Sequence, residues 1–128
     1  MKESELKSQI LLELQENFPE GRFFVRPVVG TKINDRFIRS GVAGQADIYG
    51  WVKVEKWPVH VEIEIKCSRG KLSPKQILWK KMCEKMNVPF VVGYTPKQTV
   101  RDLYLQLDDY KQKYVYYEYE IKDEQRES

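Results

Sequence analysis

Asp47 at the start of one predicted strand, Glu64-Ile65-Lys66 on the next, and a lysine-rich helix opened by Leu72-Ser73-Pro74-Lys75-Gln76 form the one constellation with evident chemistry. If the two strands pair in register, Asp47 and Glu64 project from one face of a sheet and converge. A hard cation such as Mg²⁺ accepts one or two carboxylates and fills its remaining positions with water and substrate phosphate, so two acids suffice. The backbone carbonyl of Ile65 can add a further oxygen. Lys66 lies on the same face as Glu64, about 6.5 to 7 Å along the strand. From there its ammonium reaches toward an attacking water or a phosphate and stabilises negative charge as it develops.

Each of these residues also has a plainer reading. Alternating Glu-x-Glu-x-Lys on a strand is more often a solvated face with cross-strand ion pairs. Gln76 stands three residues after Ser73, as the far half of a capping box. Trp79 falls at helical spacing from Met82 and Cys83 and reads as core, and His60 reads as a surface residue beside a turn. The conjunction of these features in order, more than any one of them, favours chemistry.

Other elements must hold this set together. Leu6, Ile10, Leu11 and Leu14 repeat at helical spacing and predict an amphipathic helix over Glu3–Asn17, stopped by Pro19 and Gly21. Arg22–Val28 reads as a strand, Gly30–Asn34 as a turn and Arg36–Arg39 as the return of a hairpin. Strands are expected at Ala46–Val52, His60–Cys67 and Pro89–Tyr94, with a turn at Glu55–Pro58. In the clearest of them Val61, Ile63, Ile65 and Cys67 take one side and His60, Glu62, Glu64 and Lys66 the other.

Ser73-Pro74 opens a helix running to about Met86, with an apolar stripe of Leu78, Trp79, Met82, Cys83 and Met86. A last helix spans Pro96–Tyr110 on Val100, Leu103, Leu107 and Tyr110. Beyond Lys111, tyrosines alternating with charges suit an edge strand, and Lys122–Ser128 reads as a disordered tail.

The 128 residues, 41% hydrophobic, are enough for one compact core, expected over residues 1–121. A formal net charge of +3 permits a nucleic-acid partner without demanding one. No run approaches the roughly 18 to 20 apolar residues of a membrane helix, and no signal-peptide layout opens the chain, so an intracellular, cytoplasmic protein is expected. Cys67, Cys83 and the single His60 cannot make a four-ligand zinc site.

From Gly44 to Val92 the order Gly-x-x-Asp-Ile, Glu-Ile-Lys, Gly-x-Leu-Ser-x-x-Gln-x-x-Trp and a short apolar strand after Val88-Pro89 resembles the VRR-NUC family of the PD-(D/E)XK nuclease superfamily. With the first helix, the resemblance covers roughly residues 4–94. It implies a single-domain α/β fold of restriction-endonuclease type, a mixed central β-sheet flanked by helices, using Mg²⁺ or Mn²⁺ to cleave DNA. In that pattern Asp47 matches the metal-binding aspartate, Glu64 and Lys66 the Glu-x-Lys pair, Gln76 the glutamine of the following helix and Glu5 the acid of the first helix, with Glu13 as its rival. Ala46 stands where the family usually has proline, and Pro27 follows Arg26 where a small polar residue is usual.

The resemblance further implies a small stand-alone protein of phage or bacterial type, acting as a homodimer on branched or junction DNA. Arg26, Lys32, Arg36, Arg39, Lys71 and Lys75, with Arg22, Lys80 and Lys81 nearby, would contact phosphates, which position a duplex without reading it. Two other readings stay open: a non-catalytic DNA-binding module on the same scaffold, and an interaction protein working through the tail from Tyr110 to Ile121.

Overall fold

The computed structural model describes residues 2–27, 30–39, 43–68 and 70–115. The first helix, α1 (Glu3–Asn17), has the bounds its periodicity predicts and buries Leu6, Ile10 and Leu14. Strand β1 (Arg22–Val25) ends sooner than expected. Pro27 has no amide hydrogen to add to a ladder, which closes the strand before it.

The hairpin that follows is also built differently from expectation. Strands β2 (Gly30–Ile33) and β3 (Arg36–Arg39) pair only with each other, as a separate two-stranded ribbon. Asn34 and Asp35 form its two-residue turn, both at positive φ (50° and 62°), the backbone that fits the twist of paired strands. Gly30 thus lies inside a strand and not in the turn.

β1 finds its partner further on, in β4 (Ile48–Val54), which continues through a tight turn at Glu55-Lys56 into β5 (Trp57–Ile65). After the Ser73-capped helix α2 (Pro74–Lys85), β6 (Phe90–Gly93) pairs parallel to β5. The main sheet therefore runs β1-β4-β5-β6 and is mixed. Helix α3 (Pro96–Tyr110) opens with a second capping box, Thr95 and Gln98, and has the predicted bounds.

The sheet separates two apolar layers. On one face Ile48, Val52, Val59, Val61, Ile63 and Ile65 meet Leu6, Ile10 and Leu14 of α1 and Val100, Leu103 and Leu107 of α3 in the main core. On the other face a smaller cluster of Ala46, Cys83 and Phe90, flanked by Leu72, Trp79, Val88 and Val92, seats α2. The chain is thus mixed α/β, a four-stranded sheet with helices on both faces. Among the described residues no helix is long and apolar enough to cross a membrane.

Two further expectations are corrected. The stripe expected on α2 is only half used: Cys83 is buried and Trp79 partly so, while Leu78, Met82 and Met86 lie exposed. Beyond α3 the chain does not start an edge strand but turns once more as a π-helix, Lys111–Val115. Tyr114 packs on Tyr110 (ring centroids 4.9 Å) and Lys113 pairs with Asp109 at 3.0 Å, contacts between residues four apart that favour continued coiling. The rest of the expected tail strand and the expected disordered end lie outside the described residues.

Candidate active site

Asp47 stands one residue before β4. One step past the Ile48–Ile63 pair of the β4–β5 ladder it comes level with Glu64, on the sheet face that carries α2. Its Oδ2 accepts the Ile65 amide at 2.9 Å, which pins the carboxylate against β5. Its backbone carbonyl accepts the Arg26 amide at 2.8 Å, so β1 holds it from the other side.

The loop before Asp47 rests directly on α2. Gly44, at φ 88°, lies so close that a Cβ there would come within 2.5 Å of the Lys75 carbonyl. Only glycine suits that conformation and that approach. Its place in the Gly-x-x-Asp motif therefore has a structural reason: it lets the aspartate loop and the first turn of α2 meet.

Glu64 is 3% exposed, although the alternation of its strand is that of a solvated face. Alternation tells which side a residue takes, and here α2 covers that side. Gln76 acts twice: its Oε1 accepts the Ser73 amide at 2.8 Å as the capping-box partner, and its Nε2 donates to Glu64 Oε1 at 2.9 Å. One side chain thus closes the capping box and reaches Glu64.

The other oxygen, Glu64 Oε2, is buried with no hydrogen-bond partner among the described residues. Burial, then the hydrogen bond and charge of Asp47, push the Glu64 carboxyl up to about 8, with Lys66 pulling the other way. Two acids that interact this strongly in a buried setting form an arrangement that a cation would relieve. Among the described residues no group of three or more His, Cys, Asp and Glu is gathered. Asp47 and Glu64 are two acidic side chains that could hold a metal between them.

From the first helix, Lys7 Nζ lies 3.7 Å from Asp47 Oδ1, and the charge of Glu3 bears on Glu64. Glu3 and Lys7 are four apart and share a helix face. Glu5, two residues from either, is exposed and falls on the opposite side at 100° per residue, and Glu13 is half-buried further along the helix. The structure thus brings Glu3 and Lys7 to the carboxylate pair and leaves Glu5 apart. The i, i+4 spacing of Glu3 and Lys7 was visible in the sequence, but nothing there said which face would meet Asp47.

Arg26 is turned inward. Its guanidinium donates to both oxygens of Glu62 (2.8 and 3.1 Å) and to the Ala46 carbonyl at 2.9 Å. It also lies over the Tyr49 ring at 4.6 Å and near the Trp79 ring at 5.7 Å. Glu62, 1% exposed, takes two further bonds, from Trp79 Nε1 at 3.0 Å and with His60 Nε2 at 2.7 Å. Burial works against the charged Glu62, but His60 and Arg26 outweigh it and hold the carboxyl below its ordinary range. His60 and Trp79 are therefore members of a polar network beside the carboxylate pair, a role their spacing did not reveal.

Of the other basic residues, Arg36, Lys71 and Lys75 are exposed, Arg36 in the β2–β3 ribbon and the two lysines around the start of α2. Lys32 and Arg39 occupy the same ribbon, Lys32 opposite Phe37 and Arg39 opposite Gly30. Compared with protein-family models, characterised proteins and solved structures, the chain finds no match.

Proposed function

We propose that the chain is a divalent-metal-dependent DNA nuclease of VRR-NUC type, on a restriction-endonuclease-like variant of the mixed α/β fold. The carrying observation is the buried Glu64 Oε2, to which no described residue donates a hydrogen bond, beside Asp47, in a site whose other neighbours are Lys66 and Gln76. Mg²⁺ or Mn²⁺, held by the two carboxylates, would supply Lewis acidity and an acidified water. The chain's own part is positional: the Ile65 amide orients Asp47, Gln76 orients Glu64, and Lys66 offers positive charge where phosphate charge develops.

A pure binding surface for a polyanion gains nothing from two acids crowded together, which favours an enzyme over a binding module on the same scaffold. Exposed Arg36 of the ribbon and Lys71 and Lys75 around the start of α2 are suited to hold phosphates without reading sequence. A homodimer acting on branched DNA is the finer form of this reading, and it rests on the motif resemblance.

The test is cleavage of labelled single-stranded, duplex, flap and four-way-junction DNA with Mg²⁺, Mn²⁺ or chelator. Metal-dependent products from the wild type are expected, lowered at least about 10²-fold in Lys66→Ala, the scale of losing one charge-stabilising group. Intact DNA throughout, with binding retained, would favour the non-catalytic module.

A further inference from the structure

The face that carries Asp47 and Glu64 continues along the sheet, and α2 covers only part of it. Beyond the carboxylates the register sets out rows: Phe24, Tyr49 and Glu62 in the first, Arg22, Trp51 and His60 in the next. Each row lies about 6.5 to 7 Å further along the strands. The rings form a continuous patch, Phe24 to Tyr49 at 5.5 Å, Phe24 to Trp51 at 5.3 Å and Tyr49 to His60 at 6.4 Å.

This patch is open to solvent. Phe24 is 39% and Trp51 43% exposed, and the His60 side chain 49%. Large aromatic groups on a sheet face are ordinarily buried against a partner layer, and here none of the described helices supplies one. The exposed charged side chain on these rows is Arg22, Lys53 lies exposed one row further, and the one acid on the rows, Glu62, is buried and bonded to Arg26 and His60. In an isologous contact with a second copy, the same cations would recur on the facing surface and oppose association. Planar rings edged by cations suit a polyanion with exposed planar groups.

We propose that Phe24, Trp51 and His60, backed by Tyr49, form a stacking platform for unpaired bases of a nucleic-acid strand that leads away from the Asp47–Glu64 pair. A duplex hides the faces of its bases within its own stack, so an unpaired stretch is the form that fits. The link to the carboxylates rests on the nuclease reading; the stacking surface does not, because aromatic stacking and cationic edges bind single strands without cleavage.

The experiment measures fluorescence anisotropy of labelled oligo-dT, and of a duplex of equal length, at fixed salt in chelator. Tighter binding of oligo-dT is expected, weakened about tenfold or more by Trp51→Ala and again by Phe24→Ala on the neighbouring strand. Trp51→Phe should retain most of the affinity, and Trp57→Ala, which removes an exposed tryptophan outside the rows, should change nothing. Oligo-dT binding indifferent to both Trp51→Ala and Phe24→Ala would overturn the proposal. So would loss of a dimer in sedimentation with oligo-dT binding intact, which would make the patch a subunit interface. If no DNA is cleaved in Mg²⁺ yet Trp51→Ala still loses oligo-dT, the nuclease reading fails and the platform stands.

Discussion

Glu64→Gln is expected to lower metal-dependent cleavage by about 10³-fold or more, the scale of losing roughly 4 kcal/mol of metal-derived stabilisation, and at the same time to make the metal-free protein more stable at and above neutral pH. The two effects have one cause. Burial and Asp47 raise the folded carboxyl to about 8, against 4.5 for the ordinary group. Between those values the folded protein holds a proton that the unfolded chain has released. Stability contributed by this group is therefore fully present below about pH 4.5 and is lost as pH rises to about 8, with a limiting slope of about 1.4 kcal/mol per pH unit.

Glutamine keeps the shape and the hydrogen-bonding partner but cannot ionise, so that slope should be missing from the variant's profile and appear as the difference between the two. A divalent cation should reverse the trend in the wild type, because a ligand that binds the folded form stabilises it and binds best once the proton has left. Thermal melts of wild type and Glu64→Gln across this pH range, with and without Mg²⁺, check all of this. Parallel profiles would remove Glu64 as a strained, metal-ready carboxylate.

Arg26→Ala is expected to destabilise the fold by about 3 kcal/mol or more, well beyond the cost of removing a surface arginine. The substitution takes away a bidentate partner from Glu62, leaving a buried carboxylate with only His60 and Trp79, and strands the Ala46 carbonyl. Most of that loss should come from the unpaired Glu62 charge. Arg26→Met combined with Glu62→Gln should therefore recover a large share of it in chemical denaturation. A cost under about 1 kcal/mol for Arg26→Ala would show that the network is peripheral. Because the guanidinium braces the carbonyl of Ala46, next to Asp47, the damaged variant should also bind metal less well.

This arginine illustrates where sequence reading stops. Its charge and its place near the end of an early strand suit a phosphate contact, but its partner, Glu62, is 36 residues away and meets it only through the β1–β4–β5 pairing. The same applies to Glu64. Period-two alternation puts it opposite Ile63 and Ile65, yet whether that side is wet depends on where α2 docks. That docking is governed by Gly44 against Lys75 and by the small cluster around Cys83.

Helices α1 and α3 were legible because their apolar spacing and stop or capping signals are local. The convergence of Asp47 and Glu64 was legible as a conditional, given pairing in register. Strand β1 misled because five apolar positions around Arg26 and Pro27 look continuous, while the missing amide of Pro27 ends the ladder. On α2, helical spacing identified a stripe but could not say that only the Trp79 and Cys83 side of it would face the sheet.

The claim on which the functional reading stands is that Asp47 and Glu64 hold one divalent cation between them. Calorimetric titration with Mn²⁺ at about pH 7, in two buffers of different protonation enthalpy, tests it most directly. With the Glu64 carboxyl at about 8, binding should release about one proton per ion, and both the binding and the release should disappear in Asp47→Ala. Binding that survives Asp47→Ala, or that releases no proton, would contradict the account.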